Sequence, residues 1–149
     1  MKEFYLKNIF LLFLFINLLF CTSLYAMSSN NAVGLWRTYD LQGKERSVLK
    51  FYVVDNELRA DVAKILLYSG EHCVKCEGKN KNKPFLGMTI IQGLKLKEDK
   101  WVNGMILDTD SGKTYGCNVS ISDDGRIMYL HAYKGLPLFG RTIRWVRED

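Results

Sequence analysis

From Val33 onward the apolar residues recur at every second position, and turn residues interrupt them at short intervals. Side chains alternate across a strand, so a period of two marks strands with one face in a core and the other in water. The first run is Gly34-Leu35-Trp36-Arg37-Thr38-Tyr39-Asp40. The second, Arg46 to Val54, sets Leu49, Phe51 and Val53 on one face. After the turn Asp55-Asn56-Glu57, a third run begins at Leu58; its alternation blurs beyond Ala63 into Ile65-Leu66-Leu67, as a bulge or short helical turn would make it. Tyr68 to Pro84 is a polar loop. Further runs follow at Met88–Gln92, Trp101–Leu107, Thr114–Ile121, Arg126–Tyr133 and Gly140–Val146. Their connections include Lys97–Lys100, Asp108–Lys113 and the Asp-Gly turn Ser122-Asp123-Asp124-Gly125.

Eight short strands joined mostly by tight turns form an antiparallel meander. An open meander exposes two edges, and closing it removes them. The expectation is therefore an all-β, eight-stranded, antiparallel up-and-down barrel, with one long loop or short helix after the third strand. A β-sandwich is the alternative that periodicity does not separate from it. Residues 27–149 are one domain's worth of chain. Residues 1–26 read as a secretory signal: Lys2 and Lys7 precede an apolar run from Ile9 to Phe20, and Leu24-Tyr25-Ala26 ends on a small residue. The apolar run is about a dozen residues against the roughly 20 of a membrane span, so no stable span is expected once the signal is removed. The expected destination is the periplasm or the exterior. The whole chain carries +5, and loss of Lys2, Glu3 and Lys7 leaves +4, with acids interspersed among the bases. That is not the one-sided basic stripe of a nucleic-acid binder. The sequence carries no signal for oligomeric state.

Three cysteines follow the signal segment: Cys73, Cys76 and Cys117. Export favours joining Cys73 to Cys76 and leaving Cys117 over. A redox-active pair is a second reading, although the motif precedes a lysine-rich loop instead of an apolar helix. A zinc site from His72, Cys73, Cys76 and Cys117 is a third, but it has one Cys-x-x-Cys where strong zinc signals have two. Asp108 and Asp110 read as turn residues and not as a calcium loop. No metal or cofactor is expected.

Gly34-x-Trp36 on the first strand, the meander after it and an arginine on the last strand together resemble the calycin superfamily, which includes lipocalins and fatty-acid-binding proteins. More specifically, the chain resembles a family of small secreted bacterial proteins catalogued as a domain of unknown function with a lipocalin-like barrel. The stretches that carry the resemblance are Gly34 to Asp40, Cys73-Val-Lys-Cys76, Pro84 to Met88, Asp108 to Tyr115 and Leu138 to Trp145. Thr109 departs from the pattern, where a proline is expected after the aspartate. The resemblance implies an exported barrel with an apolar pocket and no catalytic residues.

In such a barrel the indole of Trp36 plugs one end, and an arginine of the last strand lies across it. The alternation assigns that part to Arg141 and puts Arg144 on the opposite face. Phe51, Met88, Ile90, Met105, Leu107, Tyr115, Tyr129, His131 and Tyr133 form the expected inward face. They are core in a packed barrel and pocket lining in a hollow one. The expected function is non-enzymatic binding of a small hydrophobic, fatty-acid or lipid-like ligand. The alternatives are an envelope protein-interaction module using the lysines around Lys81 and lacking a cavity, or a thiol–disulfide protein using Cys73 and Cys76.

Overall fold

The computed structural model describes residues 32–40, 42–67 and 70–148; the segment read as a signal, the Ser28–Asn31 stretch and Tyr68 lie outside them. The strands are β1 (Gly34–Tyr39), β2 (Glu45–Val54), β3 (Glu57–Ile65), β4 (Thr89–Lys97), β5 (Lys100–Leu107), β6 (Thr114–Ile121), β7 (Ile127–Tyr133) and β8 (Gly140–Arg147). Each pairs antiparallel with its neighbours in sequence, and β8 returns to β1, so the sheet is a closed barrel. The sandwich alternative falls away. The long segment after β3 holds only a 3-10 turn, Gly78–Asn80. Among the described residues no helix is long and apolar enough to cross a membrane.

Tight turns bound one end of the barrel. Asp55 and Asn56 both take positive φ (52° and 60°), the geometry that lets a two-residue hairpin follow the twist of its strands. The turn at Ser122–Gly125 closes with the Gly125 N–H on the Ser122 carbonyl at 2.8 Å. Longer connections cluster at the other end: residues 40–44, 66–88, 108–113 and 134–139. The end with tight turns is the closed one and the end with long loops is the mouth.

The interior is a continuous apolar cluster that includes Trp36, Leu49, Phe51, Leu58, Leu94, Trp101, Met128 and Trp145. A smaller cluster of Cys73, Cys76, Phe85, Met88 and Leu107 sits where the long loop folds against the sheet. Bulges decide which residues face in. Asn103 takes a positive φ of 60°, and the β5–β6 register slips between Trp101 and Gly104. Trp101, Gly104 and Ile106 therefore point inward, and Met105 is 45% exposed. Gly104 is a contact requirement: a Cβ there would run into the side chain of Leu94. On β4 the register slips twice, either side of Ile91, which seats Ile91 and Leu94 in the core together.

Beside the closed end, Arg37 of β1 donates from Nε to Glu148 at 2.6 Å and from Nη1 to Glu45 at 2.6 Å. This clasp ties the end of the chain to the first hairpin. The hydrogen bond from Arg37 holds the Glu148 carboxyl below its ordinary value of 4.5. A carboxylate depressed in the folded state contributes stability above its unfolded pKa and loses it as pH falls through the folded value. The Tm difference between wild type and Glu148→Gln is therefore expected to be small but present near pH 7, because an exposed pair contributes little. It should shrink as the pH falls below 4.5 and through the lowered folded value. Thermal melts at neutral and at acid pH check this; a difference that grows in acid would contradict the clasp.

Candidate ligand-binding site

Bulk fills the closed half of the barrel. Trp36, Phe51, Leu58, Leu94 and Met128 are all under 2% exposed. The Trp36 indole donates from Nε1 to the Ala32 carbonyl at 2.8 Å, and the guanidinium of Arg147 lies 4.2 Å from its ring centroid. Arg147 also donates to the carbonyls of Gly125 at 2.7 Å and Val33 at 3.1 Å, and burial holds its pKa below the usual guanidinium value. The arginine across the indole is thus Arg147, not Arg141. Arg141 does share the inward parity of β8, but β8 runs antiparallel to β1, and the register sets Trp36 against Arg147. Six residues separate the two arginines, on the order of 20 Å along a strand, and Arg141 stands at the mouth.

Above this packed half lies an open cavity of about 630 Å³. Leu49, Ile90, Ile106, Ala132, Ile143 and Trp145 supply its apolar wall and floor. One polar feature is built into the wall: the Thr38 and Ser47 hydroxyls are 2.8 Å apart, and the pair is closed by hydrogen bonds to the Ser47 backbone, leaving it self-satisfied. The rim is charged and aromatic, with Tyr39, Asp40, Arg46, Lys134, Phe139 and Arg141. Two rim acids are engaged. Both carboxylate oxygens of Asp110 accept from Arg46 Nη2, at 2.6 and 2.7 Å, and Asp108 accepts from the Asp110 N–H and the Ser111 hydroxyl. Those bonds make Asp108 and Asp110 turn residues.

Of the residues expected to face inward, Ile90, Leu107, Tyr115 and Tyr133 line this cavity. The others lie elsewhere. Phe51 is buried in the packed half, with its ring 6.2 Å from that of Trp145. Met88 and Met105 line a separate cleft of about 440 Å³ beside the lysine loop. Tyr129 is 41% exposed on the outer face. His131 is also outside, its Nδ1 3.1 Å from the Thr142 hydroxyl and its Nε2 2.7 Å from the Pro137 carbonyl. The inward residues of β7 are Met128, Leu130 and Ala132. Both faces of β7 are apolar in sequence; Tyr129 and His131 took the outside, where their polar tips find water or a neighbouring polar group and their rings still cover the sheet, while Tyr133, at the mouth end of the strand, reaches the cavity. Leu49, Ile106, Ile143 and Trp145 were legible only as members of their alternating runs.

Cys73 and Cys76 form a disulfide and are 0% and 2% exposed. The loop they hold is packed into the mouth end: the Cys73 N–H bonds the Lys83 carbonyl at 2.8 Å, and a Cβ on Gly112 would strike the Lys75 backbone. Cys117 is a buried thiol whose pKa burial pushes up to about 12, so it is protonated and inert at neutral pH. Among the described residues no group of three or more His, Cys, Asp or Glu is placed to hold a metal ion.

A closed eight-stranded barrel plugged by an indole under a guanidinium, with an apolar cavity at the other end, defines a lipocalin-like protein. The chain belongs to the bacterial family DUF2147, described as uncharacterized proteins conserved in bacteria, whose model matches residues 34–147. No curated protein matches the sequence. Among solved structures the chain is similar to protein HP1028 of Helicobacter pylori, described as belonging to the lipocalin family, with a TM-score of 0.69 at 19% identity over 78% of this chain and 82% of that one. At that identity the likeness speaks for the fold.

Proposed function

We propose that this protein is an exported, non-enzymatic carrier for a small hydrophobic ligand of the fatty-acid or lipid-like class, held in the mouth cavity. The cavity is the observation that carries the reading. It has an apolar floor, one open end and a plugged opposite end, and its volume suits a single ligand of modest size. Such a site takes an aliphatic chain inward and leaves a polar head at the rim. Arg141, exposed at the mouth, offers that head a cation. Export is supported by the Cys73–Cys76 disulfide, a bond of oxidising compartments. The two rival readings draw less support. Both sulfurs of the pair are buried, where a redox motif needs an accessible thiolate. An interaction module working only through exposed Lys79, Lys81 and Lys83 leaves the cavity without a role. The test is extraction of protein purified under native conditions, followed by mass spectrometry. The reading expects stoichiometric aliphatic material; a protein that carries none and takes up none from a lipid mixture overturns it.

A further inference from the structure

The loop between β7 and β8 breaks the rule that keeps large apolar side chains out of water. Leu136, Leu138 and Phe139 are 65%, 84% and 68% exposed, beside the cavity mouth. The loop is held in this arrangement. The Phe139 N–H bonds the Leu136 carbonyl at 3.0 Å, and the His131 ring is fixed to the Pro137 carbonyl at 2.7 Å. Gly140 permits the tight return, since any Cβ there would meet the Ala132 carbonyl and the His131 ring. The charge that the hairpin itself carries has one sign. From Arg126 to Arg147 the sequence contains Lys134, Arg141 and Arg144 and no Asp or Glu. Lys134, Arg141 and Arg144 are exposed, and half-exposed Tyr129 pairs with Arg144 across the outer face. The rim acids Asp40, Asp108 and Asp110 sit on other loops, and the last two are engaged as described.

We propose that this hairpin docks the barrel mouth onto an anionic lipid bilayer. The tip inserts Leu136, Leu138 and Phe139 into the acyl boundary, and the cations meet the headgroups. A projecting apolar tip with Lys134 and Arg141 at its base, and the Tyr129–Arg144 pair lower on the outer face, is the composition of an interfacial anchor. Two or three leucine-sized groups give reversible binding, not a span. The location is beside the mouth of the cavity, so docking brings the mouth to the membrane. This inference extends the carrier reading but stands on the loop alone, and the two fail separately.

The test uses the full chain with vesicles of phosphatidylglycerol and phosphatidylethanolamine, and a readout confined to the loop. The native indoles of Trp36, Trp101 and Trp145 are at most 5% exposed and Trp145 lines the cavity, so the difference between Leu138→Trp and wild type, both titrated with the same vesicles, isolates the introduced indole. Its emission should shift to the blue on anionic vesicles and be quenched by lipids brominated on the acyl chain. Partition should fall about tenfold or more in Leu136→Ser/Leu138→Ser, as expected for losing two buried leucines, and fall also as salt rises. Neither leucine lines the cavity, so uptake of an apolar fluorescent probe should persist in the double variant. Vesicle binding without quenching at position 138 would place the contact elsewhere in the chain and overturn the proposal. So would a loop that instead joins two copies, seen as a dimer in sedimentation that Leu136→Ser/Leu138→Ser converts to monomer.

Discussion

Trp36→Ala is expected to cost about 3–5 kcal/mol, the range for truncating a large, fully buried ring. At roughly 4 °C per kcal/mol for a domain of this size, Tm should fall by on the order of 15 °C. The residue is 0% exposed and closes one end of the barrel; removing it opens a void and takes from the guanidinium of Arg147 the ring it lies across. The paired variants sharpen the result. Arg147→Ala should cost about 1–3 kcal/mol, from the cation–π contact and the two carbonyl bonds together. Arg141→Ala, at an exposed rim position, should stay within about 0.5 kcal/mol of wild type. Chemical denaturation of the three variants checks the order. Equal effects at the two arginines would refute the assignment of Arg147 to the plug.

Ala132→Trp is expected to abolish uptake of an apolar probe, by at least about tenfold, while the barrel still folds. Ala132 faces inward from β7, sits opposite Cys117 and Arg141 in the register, and forms part of the cavity wall. An indole there fills space the ligand needs, and the open cavity takes up the added volume that a packed core would reject at about 1–3 kcal/mol. Fluorescence titration with a fatty-acid-like probe gives the affinity, and circular dichroism with a thermal melt establishes the fold. If the same indole unfolded the protein, the site would be packed core and not cavity. If it left uptake intact, the ligand would bind elsewhere.

The number of strands, their order and most of their turns were legible because they depend only on local chemistry. Alternation marks a strand, and pairs such as Asp55-Asn56 and Asp124-Gly125 mark its end. What the inward face contains depends on phase, and phase is lost at each bulge. The bulge at Asn103 turned Met105 to solvent and brought in Ile106. Asn103-Gly104 is the signal that could have found it, since asparagine is enriched at positive φ and a glycine inside a strand often marks a bulge. On β7 both faces are apolar, and the choice between Tyr129-His131 and Met128-Leu130 as the inward pair was made by the polar tips of the first; Tyr133 reaches the cavity at the mouth end of the strand. The plug arginine failed for a different reason. Parity assigned it rightly to the odd-numbered residues of β8, but its height depends on where β8 meets β1, which is a long-range register. The sequence reading also ended that strand at Val146, one residue short of Arg147.

The central claim is that an aliphatic ligand enters through the loop-bearing end of the barrel and rests on the floor above the packed half. Methyl NMR during titration with a straight-chain fatty acid tests it most directly. The methyls of Leu49, Ile106 and Ile143 should shift in saturable fashion, while those of Leu58, Val119 and Leu130 in the packed core move little. Shifts confined to Leu86, Met88 and Met105 in the outer cleft, or no saturable shift at all, would contradict it.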